Sequence, residues 1–431
     1  MVRQERRADV RVLDDCFAHD RDRMRVKEAL ALLAERTRPV VGVEAVPLAE
    51  AHGRVLAETV LSARDVPGSD NAAVDGYAFA HADLAPDGET RLRIEGRAAA
   101  GHPWAEPLRP GCAVRVLTGA VMPAGADTAL MQEDVRPEGD DHVVIPPGVR
   151  RGANRRRAGE DVRAGAAVLR PGLRLRPQEV GVAASVGRRE LRVFRRLRVA
   201  LLSSGDELRE PGDQLPPGAT YDSNRIMLRA LLRGLGAEVS DLGILPDRAD
   251  AVRAALTRAA DGHDAVLTSG GASRGDEDHV VAAVRALGRL HFWQIAMKPG
   301  RPLALGQLGG RAVFVGLPGN PVAAMVCFLR FARPVLLRLG GAPWIEPVRY
   351  RVPADFDFGK KPDRLELLRA ALVRDEAGGG LRVRRIAREG SGILTSLAEA
   401  DGLVEVAEEV TAVRRGDPVD FIPFSELGVP G

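Results

Sequence analysis

Hydrophobic and polar positions along the chain follow three successive regimes. Near the N-terminus, Val26–Glu35 (VKEALALLAE) repeats its apolar residues at helical spacing, and Leu48–Leu56 carries a second, shorter helical signal. Between Tyr77 and Val144 the period drops to two, in short runs such as RLRIEG and CAVRVLTG separated by Gly and Pro. That pattern predicts a small all-β domain. Gly148–Arg196 is rich in Arg and Gly, and its VLRPGLRLRPQEVGVAASVG predicts a turn followed by a short helix.

From Leu197 strands and helices alternate. RVALLSS, AEVSDLGIL, DAVLTSGG, FWQIAMKPG and RAVFVGLPG read as strands, with helices over Asp222–Gly236 and Asp250–Ala260. A long apolar helix follows from Pro321 to about Leu339, with a kink expected at Pro334. Such a βαβ series predicts a mostly parallel sheet, whose strands run apolar because both faces are covered. After Pro343 the helical signal stops, and RYRVPADFDF, LELLRAALV, LRVRRIA and GDPVDFIPF read as strands.

The fold class expected is therefore a multi-domain α/β protein. Residues 1–23 form a charged extension, and 24–66 with 148–196 an elongated linker domain in two segments. Residues 67–147 form an inserted β domain, 197–342 the α/β domain, and 343–431 a C-terminal β-barrel domain, for which a sandwich also fits.

Composition narrows the function. At 431 residues the chain exceeds one ordinary core. Its 62 basic and 59 acidic residues leave a net charge of only +3, which argues against nucleic-acid binding. No apolar run approaches the roughly 20 residues of a membrane span, and the charged N-terminus lacks a secretory core, so a cytoplasmic protein is expected. Cys16, Cys112 and Cys327 are isolated, which predicts reduced thiols rather than disulfides or a zinc site. Only four lysines occur (Lys27, Lys298, Lys360, Lys361), so a lysine inside a motif is notable where a compact charge is needed.

In an open parallel sheet, ligands bind beyond the carboxyl ends of the strands. Four such ends are polar or glycine-rich: SSGDEL with Asp206 and Glu207, LPD with Asp247, TSGGASRGDEDH with Gly270, Gly271, Ser273 and Asp278, and KPGRP with Lys298. Glycines let backbone N–H groups approach an anion, and Ser273 can donate to a phosphate oxygen. Glu207, Asp247 and Asp278 offer hard oxygen ligands for Mg2+. Lys298 can neutralise an oxyanion. Each feature alone is ordinary, since an acidic residue after a strand is often a helix N-cap. P-loop, HExxH and GxSxG motifs are absent.

Nine motifs then occur in one order: DVPGSDNAAVDGYAF, RVLTGAVMPAGADTALMQED, RRAGEDV, SSGDEL, YDSNR, LPD, TSGGASRGDEDH, FWQIAMKPGRPLALG and GLPGNPVAAMVCF. In this the chain resembles the molybdopterin molybdenumtransferases, a family that includes the E domain of gephyrin, over about residues 25–431. The resemblance implies a homodimer, with the active site between the α/β domain of one subunit and the inserted β domain of the other. It also implies site roles for Asp75, Asp161, Glu207, Asp247, Asp278 and Lys298, together with Thr118, Arg156 and Ser273. Pro318 and Pro321 would shape the turn of GLPGNP. Arg301 stands where the family commonly has Lys, and Gln294 where some relatives carry a basic residue.

The reaction implied is insertion of molybdate into adenylylated molybdopterin with release of AMP, with Mg2+ near Glu207, Asp247 and Asp278. Molybdate would lie near Lys298 and Arg156. Two other readings stay open: molybdopterin adenylyl transfer, which a similar α/β domain performs alone, and a non-catalytic dimeric scaffold.

Overall fold

Alternation of apolar side chains along residues 76–145 produces a six-stranded sheet in the computed structural model, which describes residues 24–270, 279–375 and 378–429. Its strands run in the order Thr128–Met131, Gly76–Phe79, Cys112–Val116, Thr90–Ala98, His142–Ile145 and Arg136–Glu138. Period-two geometry splits the side chains between two cores. Ala78, Val114 and Ala129 enter one, while Tyr77, Phe79 and Ala113 enter the other. The sheet belongs to a compact unit made of Ala45–His52 and Leu56–Arg192. Within that unit Val60–Leu61 pairs with Ala167–Leu169, and Asn71–Ala72 pairs with Arg155–Arg156.

Helix Pro177–Ser185 begins with Pro at its first position, and Glu179 accepts the Arg176 N–H at 2.8 Å. Both features suit a helix start. The helix expected over Leu48–Leu56 does not form. Only a single 3-10 turn, Leu48–Glu50, is present, and Gly53 then turns the backbone at φ +75°. The apolar spacing there is too short to outlast a positive-φ glycine.

The second unit comprises, of the described residues, 24–44, Gly53–Val55 and those from Val193 onward. Its helix Val26–Arg36 buries Val26, Ala29, Leu30 and Leu33, the i, i+3, i+4, i+7 stripe. The α/β part contains β1 (Arg198–Ser204), α1 (Ser223–Gly234), β2 (Glu238–Leu245), α2 (Ala249–Gly262), β3 (Ala265–Ser269), α3 (His279–Leu287), β4 (Gly288–Gln294), β5 (Pro302–Leu308) and β6 (Ala312–Leu317). The sheet order is β2-β1-β3-β6-β5-β4. The first four strands are parallel, whereas β5 runs antiparallel to β6 and β4 antiparallel to β5. Val199 and Leu201 face one core while Ala200 and Leu202 face another, which is why β1 is apolar throughout.

Two sequence expectations need correction here. FWQIAMKPG is not one strand: its first part ends β4, while Met297–Lys298 leaves that sheet and pairs in parallel with Leu365–Glu366. The long helix is irregular before Pro334, not at it. Pro321–Cys327 and Arg333–Leu339 are α-helical, and Phe328–Ala332 between them widens to a π-turn. Proline lacks an N–H and its ring crowds the carbonyl four residues earlier, so the preceding turn is the one that opens.

The C-terminal sheet runs Met297–Lys298, Leu365–Arg374, Gly402–Val406, Pro418–Pro423 and Tyr350–Pro353, with Leu381–Arg385 also on Leu365–Arg374. A bridge between Ala354 and Val383 links the last strand back to Leu381–Arg385. Among the described residues no helix is long and apolar enough to cross a membrane.

Candidate active site

Strand register explains how distant motifs meet. Ser204 of β1 lies opposite Leu245 of β2, Ser203 opposite Ser269 of β3, and Ser269 opposite Leu317 of β6. The residues just beyond these strands, Gly205, Pro246, Gly270 and Pro318, therefore emerge along one edge of the sheet. Gly270 sits at φ +89° and donates its N–H to the Leu317 carbonyl at 3.0 Å. A side chain there would be strained, so glycine is the natural occupant.

Glu207 and Asp247 are both exposed at adjacent strand ends. A Cβ on Gly205 would come within 2.6 Å of the Glu207 carboxylate, so the missing side chain makes room for it. The Asp247 N–H donates to Asp206 Oδ1 at 3.3 Å. Among the described residues no group of three His, Cys, Asp or Glu is placed to hold a metal. Asp278, the third expected ligand, lies outside the described residues, as do Gly271 and Ser273. Two exposed carboxylates on neighbouring strand ends still suit Mg2+, which takes one or two carboxylates and keeps several waters.

Beside this edge lies a cavity of about 820 Å³. Gly270, Lys298 and Pro318 line it, so the structure brings these three expected residues together. Asn224 holds the Pro318 turn by donating Nδ2 to the Gly319 carbonyl at 2.7 Å. Pro321 begins the following helix and is not on the cavity wall.

The opposite wall comes from the C-terminal sheet, which sequence reasoning did not assign to the site. Arg364, Glu366 and Arg369 line it. Arg369 donates to the carbonyls of Gly390 and Arg388 and to Ser396 Oγ, tying down the segment that carries Ser391. The Ser391 carbonyl in turn accepts the Val322 N–H at 3.0 Å. The available signal was a pair of charges inside the strand-like run RLELLRAALV.

In the other unit, Asp75 and Thr118 are in contact. The Thr118 N–H and its hydroxyl both donate to Asp75 Oδ1, at 2.7 and 2.8 Å. The Thr118 N–H, then its hydroxyl, hold the Asp75 carboxyl below its ordinary value. Asp75 Oδ2 has no hydrogen-bond partner among the described residues, so an oriented carboxylate oxygen faces solvent. Nearby, Asp70 pairs with Arg155 and accepts the Ala158 N–H at 2.7 Å. That N–H first, and Arg155 after it, lower the Asp70 carboxyl too. Arg156 is opposite Asn71 in the short ladder, and the Asp161 N–H donates to the Val66 carbonyl at 3.0 Å. Arg156 and Asp161 thus flank the segment leading to Asp75, and among the described residues neither side chain bonds to the Asp75 carboxylate.

The chain is similar to known proteins over most of its length. The MoeA N-terminal region (domain I and II) matches residues 24–187, a probable molybdopterin binding domain matches 200–338, and the MoeA C-terminal region (domain IV) matches 351–424. The molybdopterin molybdenumtransferase of Haemophilus influenzae is 37% identical over 88% of this chain and 93% of its own length. Molybdopterin molybdenumtransferase 2 of Mycobacterium tuberculosis is 36% identical over 91% and 97%. The molybdopterin biosynthesis moeA protein of Pyrococcus horikoshii OT3 superposes with a TM-score of 0.80 at 31% identity, covering 93% of this chain and 100% of that one. A MoeA-like fold, mixed α/β with several sheets and a β-rich C-terminal part, is therefore the class. The chain belongs to the molybdopterin molybdenumtransferase family.

Proposed function

We propose that this chain inserts molybdate into adenylylated molybdopterin, releasing AMP in a Mg2+-dependent reaction. The observation that carries the reading is the cavity at the carboxyl edge of the parallel sheet, with Lys298 on its wall and two carboxylates at the neighbouring strand ends. The names of the relatives supply molybdopterin and the transfer of molybdenum. An oxyanion needs a fixed cation, and Lys298 provides a compact one. Backbone N–H groups at the glycine-rich strand ends suit a phosphate. Glu207 and Asp247, with Asp278, would hold the metal ion, which when bound neutralises charge on the departing phosphate.

The homodimer and its shared site form part of the same proposal. Asp75, Asp161, Thr118 and Arg156 would serve the site of a second copy of the chain. The Asp75 oxygen left free by Thr118 would position water or substrate there.

AMP release from purified adenylylated molybdopterin, with molybdate and Mg2+ each present or omitted, tests the reaction. Release should require both, and Lys298→Ala should lower it about 100-fold. Release without molybdate would sink the insertion step. For the shared site, Asp75→Ala and Glu207→Ala chains should each be inactive alone. Mixed in equal amounts and allowed to exchange, they should recover about a quarter of native activity, because one site in each mixed dimer is intact. No recovery would rule sharing out.

A further inference from the structure

Behind the basic wall of the cavity stands a carboxylate that the proposed reaction does not use. Glu366 is 1% exposed, within a strand whose neighbours Leu365 and Leu367 are buried apolar residues. The parallel pairing of Met297–Lys298 with Leu365–Glu366 sets it directly opposite Lys298. Its Oε2 lies 3.7 Å from Lys298 Nζ, and its Oε1 accepts Arg364 Nε at 2.8 Å and Nη2 at 2.5 Å. One buried negative charge therefore serves two cations, and both cations line the cavity.

A buried ion is costly, and an apolar residue would pack in this strand without that cost. Stability thus gives no reason for the charge, whereas control of the wall does. Lys298 is a flexible side chain more than half exposed, and on its own it would sample many positions. Arg364 beside it would double the positive charge that meets an anion. Of the other basic groups on the wall, Arg369 is engaged by carbonyls and Arg385 by Glu389 at 2.9 Å, while Arg301 is exposed and lies outside the Glu366 cluster.

We infer that Glu366 is a positioning and specificity-determining residue of an oxyanion site: it fixes the Lys298 ammonium and cancels Arg364. The three side chains then present one net positive charge to a tetrahedral dianion. Such an anion is held, but loosely enough to be handed on, since a ground state bound too tightly slows transfer. The inference rests on the proposed placement of molybdate at this wall.

Calorimetric binding of molybdate, and of sulfate as an unreactive oxyanion, to the full-length protein at low salt tests it. Glu366→Gln should bind both anions about tenfold more tightly, because two uncancelled cations now face them. In the AMP-release assay the same variant should show a lower kcat together with a lower KM for molybdate, and Glu366→Asp should restore part of both. A residue that merely supported the fold would lower kcat and leave the affinity unchanged or weaker. Arg364→Gln gives the opposite sign, independent of whether Glu366→Gln folds: Glu366 then cancels Lys298 alone, and affinity should fall about tenfold. Unchanged affinities in a folded variant overturn the inference and leave the insertion reading standing. Failure of the native protein to bind either oxyanion overturns the inference together with the placement of molybdate at this wall.

Discussion

Asp75 shows how a carboxylate is oriented while exposed to solvent. Both Thr118 donors converge on one oxygen, so the carboxylate is oriented and ionised by hydrogen bonds rather than by burial. A carboxyl with a depressed value contributes stability above its unfolded value and loses it as the pH falls through the folded one. The Asp75–Thr118 link is thus intact at neutral pH and lost only in acid, below the ordinary carboxylate range. Thr118→Val keeps the N–H and removes the hydroxyl, so the Asp75 carboxyl should move up toward its ordinary range. A carbon-detected carboxyl titration reads this, and an unmoved titration would dismiss the hydroxyl as a cause. The thiols make the opposite case. Burial pushes Cys327 up to about 12 and raises Cys112 as well. Neither should react with iodoacetamide at pH 8 in the folded protein, whereas both should in urea, as mass spectrometry would report. At this scale Cys112 and Cys327 could be read from sequence as reduced thiols, and Cys16 lies outside the described residues. The Thr118 contact could not, because 43 positions separate its partners.

Elements carry strain and charge that no residue carries alone. Gly300, in the loop after Lys298, sits at φ +93°, and a Cβ there would overlap the Cys327 sulfur. Gly300→Ala should cost about 1–3 kcal/mol in urea unfolding. Adding Cys327→Ala should recover only part, because the backbone strain remains. Helix α1 depends on Arg225, which is 4% exposed and bonded to Asp222, Asp241 and Glu210. Arg225→Met should lower stability by about 3–5 kcal/mol, since it strands the buried Asp222 carboxylate and the part-buried Asp241. A change under 1 kcal/mol would show that these charges are solvated after all. Period made most elements of the α/β part legible, because parallel strands are apolar and their helices amphipathic. Periodicity says nothing of partners, however. It could not show that Met297–Lys298 leaves one sheet for another, or that the turn before Pro334 widens.

On the scale of the whole molecule, the chain divides between two units with separate cores. A fragment spanning residues 45–192 should therefore fold alone, with a β-rich circular dichroism spectrum and one cooperative melting transition. A featureless melt would show that its cores are insufficient. The composition shifts near residues 67, 148 and 197 mark changes of hydrophobic period, and so of element type, along the chain. Half of the candidate site was readable for the same reason, since strand ends are where parallel sheets bind ligands. The C-terminal wall was not, because charges in RLELLRAALV look like a solvated face until a register buries them.

That register has a consequence for synthesis on the ribosome. Lys298 takes its place only by pairing with a strand about 70 residues further along, after two strands of the α/β sheet, the interrupted helix and two C-terminal strands have intervened. A nascent chain that has completed its parallel sheet still lacks the wall facing the glycine-rich edge. The wall that Lys298 joins is thereby completed only after translation has passed Leu365–Glu366. Order of emergence, written into one two-residue strand, makes this cavity a late product of synthesis.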